Sequence, residues 1–161
     1  MIRWLAIVLV ALAVSPAIAA QQLTGSYVLI DLPDGFEESR SFTGALWREA
    51  QASILVTELP ADAFGAIAKG LLEDPAALSD QGIELETVDN ASLGEHKAVI
   101  GRGRQLVGPQ PFEKWLLLAG APQATLMVTA QMPTTLATPA RKQKIEAALA
   151  SIRIAAERDD P

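Results

Sequence analysis

Apolar and polar positions along the chain switch between the two regular periods, and each switch marks a change of element. Residues 26–32 are rich in β-formers and stop at Pro33-Asp34-Gly35, where proline presets the backbone angle and glycine tolerates positive φ. A strand therefore ends in a turn there. Residues 45–49 and 53–59 predict two more strands, the second closed by Pro60. From Ala61 the period lengthens. Phe64, Ile67, Ala68, Leu71 and Leu72 fall at i, i+3, i+4, i+7 and i+8, the single apolar stripe of an amphipathic helix. Asp74-Pro75 has the form of an N-cap with proline at the first helical position, which predicts a short second helix stopped by Gly82.

Strand-like segments then recur at residues 83–89, 96–107, 112–119 and 124–132. Their separators, residues 90–94, 108–111 and 120–123, are short and rich in turn formers, so antiparallel neighbours and a meander are expected. Thr138-Pro139 predicts a last N-cap, and Ile145, Ala148, Leu149 and Ile152 give the final helix an apolar face that must dock on the sheet. The strand at 112–119 is apolar on both faces, with Leu116 and Leu118 to one side and Trp115 and Leu117 to the other. It should lie centrally, covered on both sides, or line an apolar surface. An antiparallel sheet with helices before and after it is an α+β fold, an α-β-α layered sandwich.

The first twenty residues stand apart from this pattern. Arg3 gives a positive start, an apolar run follows from Trp4 to Val14, Ser15-Pro16 breaks it, and Ala17-Ile18-Ala19 has the small-x-small form of a signal peptidase site. A secretory signal over 1–20 is the reading, cut after Ala19 or Ala20. A retained anchor would need about 20 uninterrupted apolar residues, and Pro16 intervenes. The remainder, 21–161, is expected to be one domain with weakly structured ends at 21–25 and 157–161. Half the residues are hydrophobic, enough to bury a core without crosslinks.

With no cysteine, disulfides, thiolate metal sites and a lipidated cysteine at the cleavage point are ruled out. The net charge of −6 becomes one unit more negative once Arg3 leaves with the signal, which argues against nucleic acid or an anionic membrane surface as partner. A soluble protein of the periplasm is expected, with full secretion the alternative.

Several short segments carry a resemblance. Leu32-Pro33-Asp34-Gly35-Phe36 after the first strand, the strand and helix within 54–72, Gly94-Glu95-His96-Lys97-Ala98 entering a long strand, and a closing helix ending in Ala150-Ser151-Ile152 together resemble the Mog1/PsbP-like group of small exported or organellar domains. That resemblance implies an α-β-α sandwich on an antiparallel sheet, and a binding or assembly role without a catalytic site. It carries no functional residue over to this sequence.

Chemistry is sparse. His96 is the only imidazole, too few for a zinc set or, without a G-x-S-x-G or S-x-x-K motif, for a serine hydrolase. Glu84 and Glu86 would share a strand face about 7 Å apart, a spacing that paired-carboxylate hydrolysis could use, though a solvated face has the same pattern. Asp31 and Asp34-Gly35 lack the ligand density of a calcium loop, and Asn90-Ala91-Ser92 reads as a hairpin turn. Gly101-Arg102-Gly103-Arg104 puts both arginines on one face, where they would clamp a carboxylate or phosphate, or pair with acids such as Glu84 and Glu86 while the glycines admit a packed helix. It is not a dinucleotide fingerprint.

The candidate partner-binding residues are accordingly Arg102, Arg104, Trp115 and Trp47, the two tryptophans being core residues unless the sheet exposes them. No catalytic, metal or cofactor residue is singled out. The leading expectation is a monomeric, non-catalytic accessory domain that recognises another envelope protein. A carrier with an apolar-ligand pocket between sheet and helix is the alternative, and a hydrolase using Glu84 and Glu86 a remote third.

Overall fold

The computed structural model describes residues 20–159, so the leader expected at 1–20 lies outside the described residues but for Ala20. Ten strands and two α-helices follow in the order β1 (Gln21–Gln22), β2 (Val28–Ile30), β3 (Glu37–Glu38), β4 (Gly44–Trp47), β5 (Ala52–Leu59), α1 (Ala63–Glu73), β6 (Ile83–Leu93), β7 (His96–Val107), β8 (Gln110–Gly120), β9 (Thr125–Pro133), α2 (Pro139–Ala150) and β10 (Arg153–Ile154). A 3₁₀ helix, Pro75–Gln81, follows α1. It is the short helix expected after Asp74-Pro75: the Asp74 side chain accepts from Ala76 N–H, and Gly82 ends it at φ 72°.

Seven strands make one antiparallel sheet in the order β3-β4-β5-β9-β8-β7-β6. Its right half is the expected meander. The turns, however, are tighter than the composition of the separators implies. Leu93 pairs with His96 and Val107 with Gln110, so each hairpin closes over two residues. Gly94 and Gly108 hold the first turn position at φ 61° and 60°, which a residue with a Cβ resists. Asn90-Ala91-Ser92 is therefore not the hairpin turn but part of β6, paired with Val99, Ala98 and Lys97.

Side-chain alternation divides the sheet into two cores. Val99, Leu116 and Leu118 meet Ala68 and Leu71 of α1 on one face. Trp115, Leu117, Ala119, Val128 and Ala130 meet Ile145 and Ala148 of α2 on the other. The two-sided apolar strand at 112–119 is thus central and covered by helices on both faces, an α-β-α sandwich. Thr138 caps α2, its hydroxyl accepting from Arg141 N–H, with Pro139 at the first helical position.

The weakly structured ends expected at 21–25 and 157–161 are instead tied together as far as Asp159. β1, β2 and β10 form a small second sheet on the α2 side, in which β2 pairs with both terminal strands. Leu23 is fully buried, Gly25 N–H donates to the Asp159 carbonyl at 2.6 Å, and the Gln22 amide donates to the Glu157 carbonyl at 2.8 Å.

Candidate functional site

Arg102 and Arg104 occupy alternate positions of β7, and both project to the face that carries α2. Arg102 Nη1 lies 3.3 Å from Glu146 Oε1 of that helix. Arg104 Nε lies 3.5 Å from Glu86 and 3.9 Å from Glu113, which also pairs with Lys142 of α2 at 3.2 Å. The arginine pair is thereby divided: Arg104 is held by acids of both neighbouring strands, and Arg102 by the helix.

The expectation that the glycines between them admit a helix is corrected at Gly103. A Cβ there would run into the Glu84 carbonyl oxygen of the adjacent strand. What Gly103 admits is a β-bulge, the register shift between Leu85 and Thr87. The bulge also removes the strict alternation on which a shared face for Glu84 and Glu86 rested: Glu84 opposes Arg104 in register, while Glu86 falls within the shift.

Trp115 is the register partner of Arg102 on β8. Its ring is buried, and its Nε1–H donates to Glu146 Oε1 at 3.4 Å. Beside it α2 does not cover the sheet completely. A cleft of about 350 Å³ opens between the C-terminal half of the helix and strands β6 to β8. Its walls are Ala91, Leu93, Ile100, Leu117 and Leu149, with Trp115 among them; Arg102 and Glu146 are the charged residues that line it. A second, more polar hollow of about 440 Å³ continues beyond Arg102 along Glu86, Thr87 and Asp89. Arg102 stands on the divide between the two.

Trp47 lies under the same helix but elsewhere. Two strands, β5 and β9, separate β4 from β8. The Trp47 ring packs against Phe36 at 5.3 Å between centroids, and Lys144 and Arg141 of α2 sit over it at 5.0 and 5.8 Å. The structure therefore brings Arg102 and Trp115 together, sets Arg104 one alternation further along β7, and leaves Trp47 apart. His96 opens β7 opposite Leu93 and is not itself among the residues that line the cleft. No group of three His, Cys, Asp or Glu able to hold a metal occurs among the described residues. On the α1 face Lys114 donates to Gln105 and Gln131 at 2.9 and 3.1 Å, and burial lowers its pKa from the ordinary lysine value.

No family model matches the chain, and no curated protein matches it. Solved structures do. LpqN, involved in cell envelope biogenesis of Mycobacterium tuberculosis, is 16% identical, with 81% of this chain and 85% of that chain covered at a TM-score of 0.55. PA94 of Pseudomonas aeruginosa, a protein of unknown function, is 14% identical over 62% of this chain and 70% of that one, at a TM-score of 0.52. The cyanobacterial PsbP (CyanoP) of Synechocystis is 12% identical over 88% and 95%, at a TM-score of 0.49. The likeness is one of fold. At that level LpqN and PA94 are similar to this chain, whose antiparallel sheet between helices is the α+β sandwich that the order of elements predicts.

Sequence reasoning missed Glu146 and the β6 and β7 walls of the cleft, Ala91, Leu93 and Ile100. Ile100 was within reach, since alternation puts it on the Arg102 face of β7. Glu146 was not, because its contact with Arg102 depends on where α2 crosses the sheet.

Proposed function

We propose that this chain is an exported, non-catalytic binding domain that takes an apolar ligand into the cleft beneath the C-terminal half of α2. The cleft itself carries the proposal: about 350 Å³ of mainly apolar lining, with few polar groups converging at one place, is the common form of a small-molecule site. Export is supported by the leader pattern at 1–20 and is in keeping with the envelope role of LpqN. No helix among the described residues is long and apolar enough to cross a membrane. The test is a titration with the neutral apolar dye N-phenylnaphthylamine. Saturable fluorescence is expected with wild type and its loss with Ala150→Trp, which fills the cleft from the exposed end of α2; equal binding by both proteins would refute the site. Fractionation that finds the uncut chain in the cytosol would refute export.

A second reading, recognition of another envelope protein, is favoured by Leu106 and Val107, which are 63% and 51% exposed at the tip of the β7–β8 hairpin beyond Arg104. Pull-down from envelope extract with wild type and Arg102→Ala/Arg104→Ala tests it. Identical partner profiles would count against it.

A further inference from the structure

Resting on that cleft, we propose that its ligand is an amphiphile with a carboxylate head and an apolar tail, and that the Glu146 carboxylate holds the place of the head until the ligand arrives. Two donors converge on one oxygen. Glu146 Oε1 takes the Trp115 indole N–H at 3.4 Å and faces Arg102 Nη1 at 3.3 Å. Both distances exceed the roughly 2.7–2.9 Å of a tight charge-assisted contact, so the oxygen is shared between the two donors and held closely by neither.

The donors and the acceptor differ in how they are held. Arg102 and Trp115 are register partners on adjacent interior strands, which fixes their Cα positions; the indole is further held by burial, while the Arg102 side chain is 59% exposed and free to follow its acceptor. Glu146 hangs from α2 on a flexible side chain, and its side chain is 36% exposed. A rotation about its own side-chain bonds carries it to solvent while the buried indole stays in place and Arg102 remains rooted beside it on β7. An incoming carboxylate then pairs with both, and its tail lies along Ile100, Leu117, Leu93 and Leu149.

The sign of the head follows from the same geometry. Arg102 and Glu146 are the charged residues lining the cleft, so a ligand head could in principle be cationic and displace Arg102 from Glu146 instead. A cation that drew Glu146 to itself would compete with the buried Trp115 N–H for the carboxylate oxygen that accepts it, and a donor left unmatched in an apolar wall is costly. An anion keeps both donors paired. Glu146 is then an internal competitor, and the apparent affinity is the intrinsic affinity scaled by the fraction of molecules in which it has swung away.

Calorimetric titration of the full chain with dodecanoate, dodecanol and dodecylamine, each below its micelle-forming concentration, tests this. Wild type should bind dodecanoate more tightly than dodecanol, and dodecylamine least. Glu146→Ala should tighten dodecanoate binding about tenfold by removing the competitor, Glu146→Gln less so. Arg102→Gln should weaken dodecanoate and leave dodecanol unchanged. Dodecanol binding as tightly as dodecanoate, preference for dodecylamine, or a Glu146→Ala protein that binds dodecanoate no better than wild type would each overturn the carboxylate head while leaving the apolar cleft standing. Failure of all three probes to bind wild type and both Glu146 variants would remove the cleft reading as well.

Discussion

Two tryptophans lie under the same helix and are equally hidden, Trp47 at 6% exposure and Trp115 at 5%, yet their surroundings differ in kind. Trp47 is sealed: Phe36 packs on it, two cations of α2 cover it, and the Gly35 backbone passes so near that a Cβ there would collide with the indole. Trp115 has packed neighbours on the sheet side but borders an open cleft on the other, and its N–H leans on a glutamate that is itself part of the mouth. Low exposure alone does not distinguish a ring that fills the core from one that walls a cavity. The first contributes stability; the second is where the fold leaves room for something else.

The contrast is broken most forcefully at the sealed ring. Trp47→Ala should cost about 3–5 kcal/mol in denaturant unfolding, because its packed surroundings cannot collapse onto the void. Next comes Gly103→Ala, which pushes the β6 backbone off its bulge and should cost about 1–3 kcal/mol by the same measurement. Trp115→Phe keeps an aromatic wall and gives up one long hydrogen bond, so a cost of about 1 kcal/mol is expected together with a marked loss of amphiphile affinity by calorimetry. Should Trp115→Phe unfold the protein as severely as Trp47→Ala, the two rings would be alike and the comparison would fail. Arg104→Ala, which removes an exposed cation and leaves the largely covered Glu113 paired with Lys142, should shift stability by about 0.5 kcal/mol or less.

Lys114 sharpens the comparison from the opposite face. Its folded pKa is depressed by burial, so the folded state disfavours its charged form. Between the depressed folded pKa and the ordinary lysine value the unfolded chain binds the proton more strongly, and stability should rise with pH through that window. Lys114→Met should flatten that rise in thermal melts across the alkaline range.

Much of the sandwich was legible because its signals are local. The stripe from Phe64 to Leu72 that becomes α1, the Thr138-Pro139 cap of α2, and the two-sided apolar strand at the centre of the sheet all follow from side-chain period and capping chemistry. What sequence could not supply depends on distant partners. β1, β3 and β10 are two residues long and exist only because β2 and β4 offer them backbone groups. The bulge at Leu85 needs Gly103 opposite it, and a strict period of two conceals it. The candidate site divides in the same way: Arg102 and its face could be read from alternation, whereas Glu146 and the cleft arise from where α2 stops covering the sheet.

The most direct test of the cleft watches both rings at once. In the full chain labelled with ¹⁵N at the indole nitrogens, with signals assigned by Trp47→Phe and Trp115→Phe, dodecanoate is titrated while the indole N–H resonances are followed. The Trp115 resonance should move saturably as Glu146 gives way to the ligand head, and that of Trp47 should stay where it is. Movement of both together, or of neither, would contradict a ligand site beneath the C-terminal half of α2.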